Sequence, residues 1–129
     1  MIIGVPKEIK LQEHRIGLTP ESVKALTDRN HEVLVESNGG FEAGFTNDDY
    51  LKAGANIIKT PEEIFKKADL IIDFTVPNCT LEILKIASKL KKKVVIGTTG
   101  FSRIQENQIK KYSRKIPILK AGNMSLGVN

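Results

Sequence analysis

The chain has 129 residues, 40% hydrophobic and 27% charged, with a net charge of +5 and an isoelectric point near 9.4. A single domain of this length buries about two-thirds of its unfolded surface, and no apolar run approaches the roughly 20 residues of a membrane span. Met1-Ile2-Ile3-Gly4 has no charged stretch followed by a long apolar core, so it does not read as a secretory leader. One cysteine, Cys79, cannot form an internal disulfide, which points to a reducing, cytoplasmic setting. No histidine lies near it in sequence, so Cys79 reads as a packing residue rather than a nucleophile. The lysines of Lys91–Lys93 and Lys110–Lys111 would attract phosphates, but they fall at the end of one helical segment and on the polar side of another. Aromatic residues make up 5% of the chain, with no tryptophan, so nothing offers bases a stacking platform. Solvated helix faces account for the lysines better than a nucleic-acid site does.

Ile2 to Val5 reads as a short apolar strand. Thr19-Pro20-Glu21 supplies a helix N-cap with proline at the first helical position, and Val23 and Leu26 give that helix an apolar face. Glu32 to Glu36 is a second strand, and Gly39 to Asn47 reads as a loop. Thr60-Pro61-Glu62-Glu63 is both a capping box and a proline start, turning Ile64 and Phe65 inward. Asp69 to Phe74 is a third strand; Ile83, Ile86, Ala87 and Leu90 then recur at helical spacing. Val94 to Ile96 is a β-branched run that stops at Gly97-Thr98-Thr99-Gly100, the signature of a strand covered on both faces. Ser102-Arg103-Ile104-Gln105 fits a capping box for a helix reaching Arg114, and Ile116 to Leu119 is a last strand. Such alternation predicts one open, mainly parallel α/β sheet, with Val94 to Ile96 central and Ile116 to Leu119 next to it or one strand away.

In parallel sheets ligands sit beyond the carboxyl ends of the strands. Gly97 would allow close backbone approach there, and Thr98 and Thr99 carry hydroxyls and amides. The same residues fit an ordinary strand–turn–helix connection with no ligand, and spacing does not choose between the two. Two phosphate motifs fail. Gly39-Gly40-Phe41-Glu42-Ala43-Gly44-Phe45 has the glycine spacing of a P-loop, but Phe45 stands where the lysine must be. No Gly-x-Gly-x-x-Gly occurs among the 10 glycines, so the usual pyrophosphate turn is missing. His14, His31 and Cys79 are too scattered for a metal cluster, and His14, between Glu13 and Arg15, reads as a solvated polar residue.

Met1-Ile-Ile-Gly-Val-Pro-Lys-Glu-Ile-Lys10, then Glu13-His-Arg-Ile-Gly-Leu-Thr-Pro20, closely resembles the amino terminus of alanine dehydrogenases and the related nicotinamide nucleotide transhydrogenases. His31 to Glu36, the glycine-rich loop to Phe45, Tyr50, and Ala53-Gly-Ala-Asn-Ile57 continue the likeness to about Ile72. It implies that Arg15 binds a substrate carboxylate through two parallel hydrogen bonds. The likeness departs after Ile72. Asp73-Phe-Thr-Val-Pro77 replaces the family's Lys-Val-Lys-Glu-Pro, so Thr75 takes the place of a substrate-binding lysine. The family's later catalytic histidine and its nucleotide-binding domain have no counterpart in these residues.

From Asp69 onward the chain is similar to 4-hydroxy-tetrahydrodipicolinate reductase of diaminopimelate and lysine biosynthesis. Ile72-Asp-Phe-Thr-Val-Pro77, Val95-Ile-Gly-Thr-Thr-Gly-Phe101 and Ala121-Gly-Asn-Met-Ser-Leu-Gly-Val-Asn129 match its nucleotide-binding domain in order and spacing. This resemblance implies a Rossmann-like sheet with helices on both faces and NAD or NADP as cofactor. Gly97, Thr98 and Thr99 would line the nicotinamide site, Thr99 also near the substrate, and Ala121, Gly122, Asn123 and Met124 would form a second cofactor loop. The reductase's glycine-rich first turn and its His-His and Lys proton-transfer motif have no match here. The chain therefore reads as a composite in one α/β domain, residues 1–72 from one oxidoreductase family and 69–129 from another. The expectation is a truncated or chimeric NAD(P)-linked chain, incomplete at its C-terminus and inactive alone, with a small carboxylate as substrate and neither nucleic acid nor membrane as partner. An alanine dehydrogenase fragment and a non-catalytic nucleotide or carboxylate binder are the alternatives. Oligomeric state is not legible.

Overall fold

The computed structural model describes residues 1–7, 18–39 and 44–120. In chain order the elements are β1 (Ile2–Val5), α1 (Pro20–Thr27), β2 (Glu32–Glu36), α2 (Asn47–Lys52), β3 (Asn56–Ile58) and α3 (Pro61–Lys67). β4 (Leu70–Asp73), α4 (Pro77–Leu90), β5 (Lys93–Ile96), α5 (Arg103–Ser113) and β6 (Ile118–Lys120) follow. All six strands join one sheet in the order β3-β2-β1-β4-β5-β6, and every pairing is parallel. That is the strand order of Rossmann-like folds, with the reversal of winding between β1 and β4. β6 lies directly beside β5, as the short strand–helix–strand connection requires. β5 is interior but not central, because β1 and β4 occupy the middle of the sheet.

Helices cover both faces. One face packs α3, α4 and α5 through Ile64, Phe65, Ile83, Leu84, Ala87 and Ile109 onto Leu34, Ile71, Val94 and Ile96. The other packs Val23 of α1 and Tyr50 of α2 onto Val5, Val33 and Val35. Along α4 the side chains turned to the sheet are Thr80, Ile83, Leu84 and Ala87. Ile86 and Leu90, read from spacing as part of that apolar face, remain 39% and 42% exposed. The buried stripe runs along one i, i+3, i+4 row, and these two fall beside it.

Most helix starts follow the sequence chemistry. Thr19 accepts from the Ser22 N–H at 3.2 Å. Ser102 and Gln105 form both arms of a capping box, at 3.2 and 2.8 Å. Thr60 makes only one arm, accepting from the Glu63 N–H at 3.4 Å. The Glu63 carboxylate lies instead 3.9 Å from Lys67 Nζ, one turn on. α2 and β3 are additions to the elements expected from sequence. α2 starts on a Thr46/Asp49 capping box, with aspartate where the usual pattern has Glu or Gln.

Tyr50 anchors the α1/α2 face. Its ring is buried and meets Phe45 edge-on at 6.2 Å between centroids, and its hydroxyl donates to the Leu18 carbonyl at 2.9 Å. Burial first, and the Asp49 charge second, push the phenol well above its ordinary ionisation range. Below pH of about 10, where an unfolded tyrosine is also neutral, this contribution to stability is whole. It is lost as pH rises beyond that, because the unfolded chain releases the proton first. Tyr50→Phe should cost about 1 kcal/mol at neutral pH and flatten the alkaline limb of the stability–pH profile. Urea titrations between pH 8 and 11 check both effects.

Candidate functional site

The carboxyl edge of the sheet is organised by a buried carboxylate. Among the described residues the buried polar side chains are Asp73, Thr75, Thr80 and Thr98. Asp73 ends β4 and is wholly buried, so its oxygens need internal donors. Oδ1 accepts from the Thr75 N–H at 2.9 Å and the Thr75 hydroxyl at 2.6 Å. Oδ2 accepts from the Thr80 hydroxyl at 2.6 Å and lies 3.3 Å from the Thr98 hydroxyl. The single Thr98 proton is shared with the Thr75 carbonyl, 3.2 Å away. One side chain thus ties together the turn after β4, the first turns of α4 and the turn after β5.

This changes the roles open to the Gly97–Gly100 segment. Thr98 is 1% exposed with its hydroxyl turned inward, so only its backbone remains for a ligand. The Gly97 N–H pairs with the Asp73 carbonyl at 2.7 Å. A Cβ on Gly97 would lie 2.7 Å from Cζ of Phe74, so the glycine makes room for that ring rather than for a ligand. Thr99 and Gly100 are exposed, and a Cβ on Gly100 would meet nothing within 4 Å. The outward surface of the segment is therefore Thr99 and the backbone around it. Lys120, at the end of β6, pairs in register with Ile96, sits 5.2 Å from the Phe101 ring centroid and bridges to Glu106. Arg15, His14 and Ala121 to Met124 lie outside the described residues.

A cavity of about 340 Å³ opens one strand away, at the β1/β4 reversal of winding. Pro6 and Lys7 follow β1, Glu36 ends β2, Thr75 follows β4, and Cys79, Glu82, Ile83 and Ile86 come from α4. Pro61 and Phe65 of α3 close the apolar side. The Lys7 N–H donates to Glu36 Oε1 at 3.0 Å. Sequence reading singled out none of the cavity's charged residues. A usable signal existed in Glu36, an acidic residue closing the second strand of a parallel sheet. Cys79, read as packing, is half-buried and lines this cavity. No cluster of three or more metal-ligating side chains occurs among the described residues, and none of their helices is long and apolar enough to cross a membrane.

The family model for the alanine dehydrogenase/PNT N-terminal domain matches residues 4–115. The chain belongs to this family. As a member of the alanine dehydrogenase/PNT N-terminal domain family it carries the likeness past Ile72, through the Asp73 cluster and the Gly97–Gly100 turn. Curated relatives include proteins of two kinds. The 4-hydroxy-tetrahydrodipicolinate reductase of Pelagibacter ubique is 71% identical over 77 residues, covering 60% of this chain and 30% of that protein. The alanine dehydrogenase of Methanococcus maripaludis is 42% identical over 77 residues, covering 60% of this chain and 21% of that protein. Two matches of 77 residues in a chain of 129 must overlap, so a central stretch resembles both. The chain spans less than a third of either relative's length. Among solved structures, an L-alanine dehydrogenase superposes with a TM-score of 0.65 at 29% identity, over 87% of this chain and 30% of that one. A transhydrogenase from Sinorhizobium meliloti reaches 0.72 over 93% of this chain and 34% of its own, and at 23% identity it shows the fold alone.

Proposed function

We propose that this chain carries the nicotinamide-facing edge of an NAD(P)-linked oxidoreductase, most like 4-hydroxy-tetrahydrodipicolinate reductase, and turns over no substrate by itself. Residues 1–72 and 69–129 are then segments of two oxidoreductase lineages sharing one sheet, working in the cytoplasm on the diaminopimelate route to lysine. The observation that carries this reading is the Asp73–Thr98 tie, which fixes the turn after β5 with Thr99 and its flanking backbone facing outward. Thr98 and Thr99 would meet the nicotinamide through backbone groups and the Thr99 hydroxyl, with Gly97 holding the turn that presents them. Ala121, Gly122, Asn123 and Met124 would add the second loop, and Arg15 and Thr99 would face a small carboxylate substrate. When bound, the nicotinamide supplies the hydride.

The residues fit the nicotinamide end better than the pyrophosphate. In this strand order the pyrophosphate rests on amides of the turn after β1. Among the described residues after β1, Pro6 has no N–H, and the Lys7 N–H is already held by Glu36. Losing three charge-assisted bonds at about 1.5–3 kcal/mol each weakens binding by roughly three orders of magnitude or more. Reduction also needs a proton donor, and these residues include no counterpart of either parent family's.

The alanine dehydrogenase reading has the family match in its favour. Against it, Thr75 stands at the family's lysine position; the residue is 2% exposed and its hydroxyl is committed to Asp73. It offers a substrate carboxylate no cation. The purified chain should therefore neither oxidise alanine with NAD nor reduce tetrahydrodipicolinate with NADH or NADPH, in continuous absorbance assays at 340 nm. Measurable turnover that Arg15→Ala or Thr99→Ala abolishes would overturn the proposal.

A further inference from the structure

A second cavity lies between α4 and α5. Asn78 Oδ1 accepts from Gln105 Nε2 at 3.4 Å, which ties the first turns of these two helices together. About one turn further on they leave a space of about 280 Å³ lined by Leu81, Gln108, Lys111, Tyr112 and Lys115. Lys111 and Lys115 stand one turn apart, because the Ile116 N–H still reaches the Tyr112 carbonyl at 3.1 Å. Leu81 and Tyr112 are half-buried against the core and give the space an apolar side. The Gln108 amide, the Tyr112 hydroxyl and both ammonium groups make no hydrogen bond or ion pair with a described residue.

The surrounding charge is one-sided. No acidic side chain is among the described lining residues. Glu106 is the sole acidic residue after Glu82 in the sequence, and it is bridged to Lys120. The carbonyls closing α5 do not offset the lysines, since a helix end is negative through its unbonded carbonyls. Here the Ser113 hydroxyl donates to the Lys110 carbonyl at 2.6 Å, the Arg114 N–H to Lys111 at 3.3 Å and the Lys115 N–H to Tyr112 at 2.8 Å.

We infer that this cleft binds a phosphate monoester carried on a small apolar or aromatic body. A phosphate presents three strong acceptor oxygens to the four free donors. Lysine binds phosphate as a point charge, and the forked arginine that suits a carboxylate is missing from the described lining. Leu81 and the Tyr112 ring would hold the apolar body. The space suits a small ester rather than a whole dinucleotide. The cleft shares no residue with the proposed nicotinamide edge and does not depend on it.

Amide NMR spectra of the full chain with phenyl phosphate test the site. The probe should shift the amides of Leu81, Gln108, Lys111, Tyr112 and Lys115, with a dissociation constant of about a millimolar or tighter. Benzoate, with less charge, should bind at least about threefold more weakly, and neutral benzyl alcohol at least about tenfold. Lys111→Gln and Lys115→Gln, both at exposed positions, should each weaken phenyl phosphate about threefold and together about tenfold. The inference is overturned by unmoved amides at about 10 mM probe, by benzoate binding equally well, or by the double variant staying within about twofold of the unaltered chain. Shifts of equal size beside Lys24 and Lys52, on the other face of the sheet, would also overturn it, because they would show only general attraction to surface lysines.

Discussion

Asp73→Ala should lower the stability of the chain by about 3–5 kcal/mol, the scale of breaking a buried, fully hydrogen-bonded charge cluster. The substitution removes the acceptor for one N–H and three hydroxyls in a place without water access. Thr80 has 0% exposure and Thr98 1%, so their hydroxyls cannot turn to solvent. Asp73→Asn is the informative control. It keeps an acceptor for Thr75 and presents an amide to Thr80 and Thr98, whose hydroxyls can accept as well as donate. Its cost should be only about 1–2 kcal/mol. Urea unfolding of both variants checks the pair, and an Asp73→Ala loss below about 1 kcal/mol would mean the cluster is not holding the site together.

Gly4→Ala should cost about 3 kcal/mol, at the upper end of overpacking in a filled core. A Cβ at this position would lie 2.5 Å from Ile64 Cγ2, 2.9 Å from Ala68 Cβ and 3.2 Å from Ile71 Cδ1. Ile64 and Ala68 are wholly buried and flank the end of α3, so relief requires moving the helix away from β1. That movement also shifts Pro61 and Phe65, and with them the cavity wall. Ile64→Ala in the same chain should recover part of the loss, giving a coupling of about 1 kcal/mol or more in a double-mutant cycle. Strict additivity would show that β1 and α3 do not pack this closely.

Sheet direction and most helices were legible because strong signals coincided, and β6 takes the nearer of the two positions beside β5 that the sequence allowed. Thr-Pro and Ser-x-x-Gln starts marked α1, α3 and α5, apolar runs marked β2 and β4, and a β-branched run marked β5. α2 and β3 were not legible, being six and three residues long. Stretches that short carry too few side chains for either periodicity to show. Ile86 and Leu90 illustrate a different limit. Helical spacing identifies an apolar face, but the neighbouring helix decides how much of it is covered, and here α3 leaves these two at the edge of a cavity.

The turn proposed as the site was legible in position, and its internal contacts were not. A turn of glycine and threonine marked a strand end, and it lies at the carboxyl edge beside β4. Its internal division of labour depended on contacts far apart in sequence. Asp73 and Thr98 are 25 residues apart, and their bond turns the Thr98 hydroxyl away from any ligand. Phe74 claims the space above Gly97, which only the coordinates of two neighbouring strands reveal. The family likeness pointed to Thr75 as a lost lysine, and the structure supplies the physical reason it cannot substitute: its hydroxyl is spent on Asp73.

Titration calorimetry with NADH tests the central claim most directly. A nicotinamide held by Thr99 and flanking backbone, with neither Pro6 nor the committed Lys7 N–H left to hold a pyrophosphate, should bind in the millimolar range, and Thr99→Ala should change the constant by less than about twofold. A micromolar dissociation constant that Thr99→Ala weakens about tenfold would contradict the account, because it would require an intact cofactor site with strong contacts at that hydroxyl.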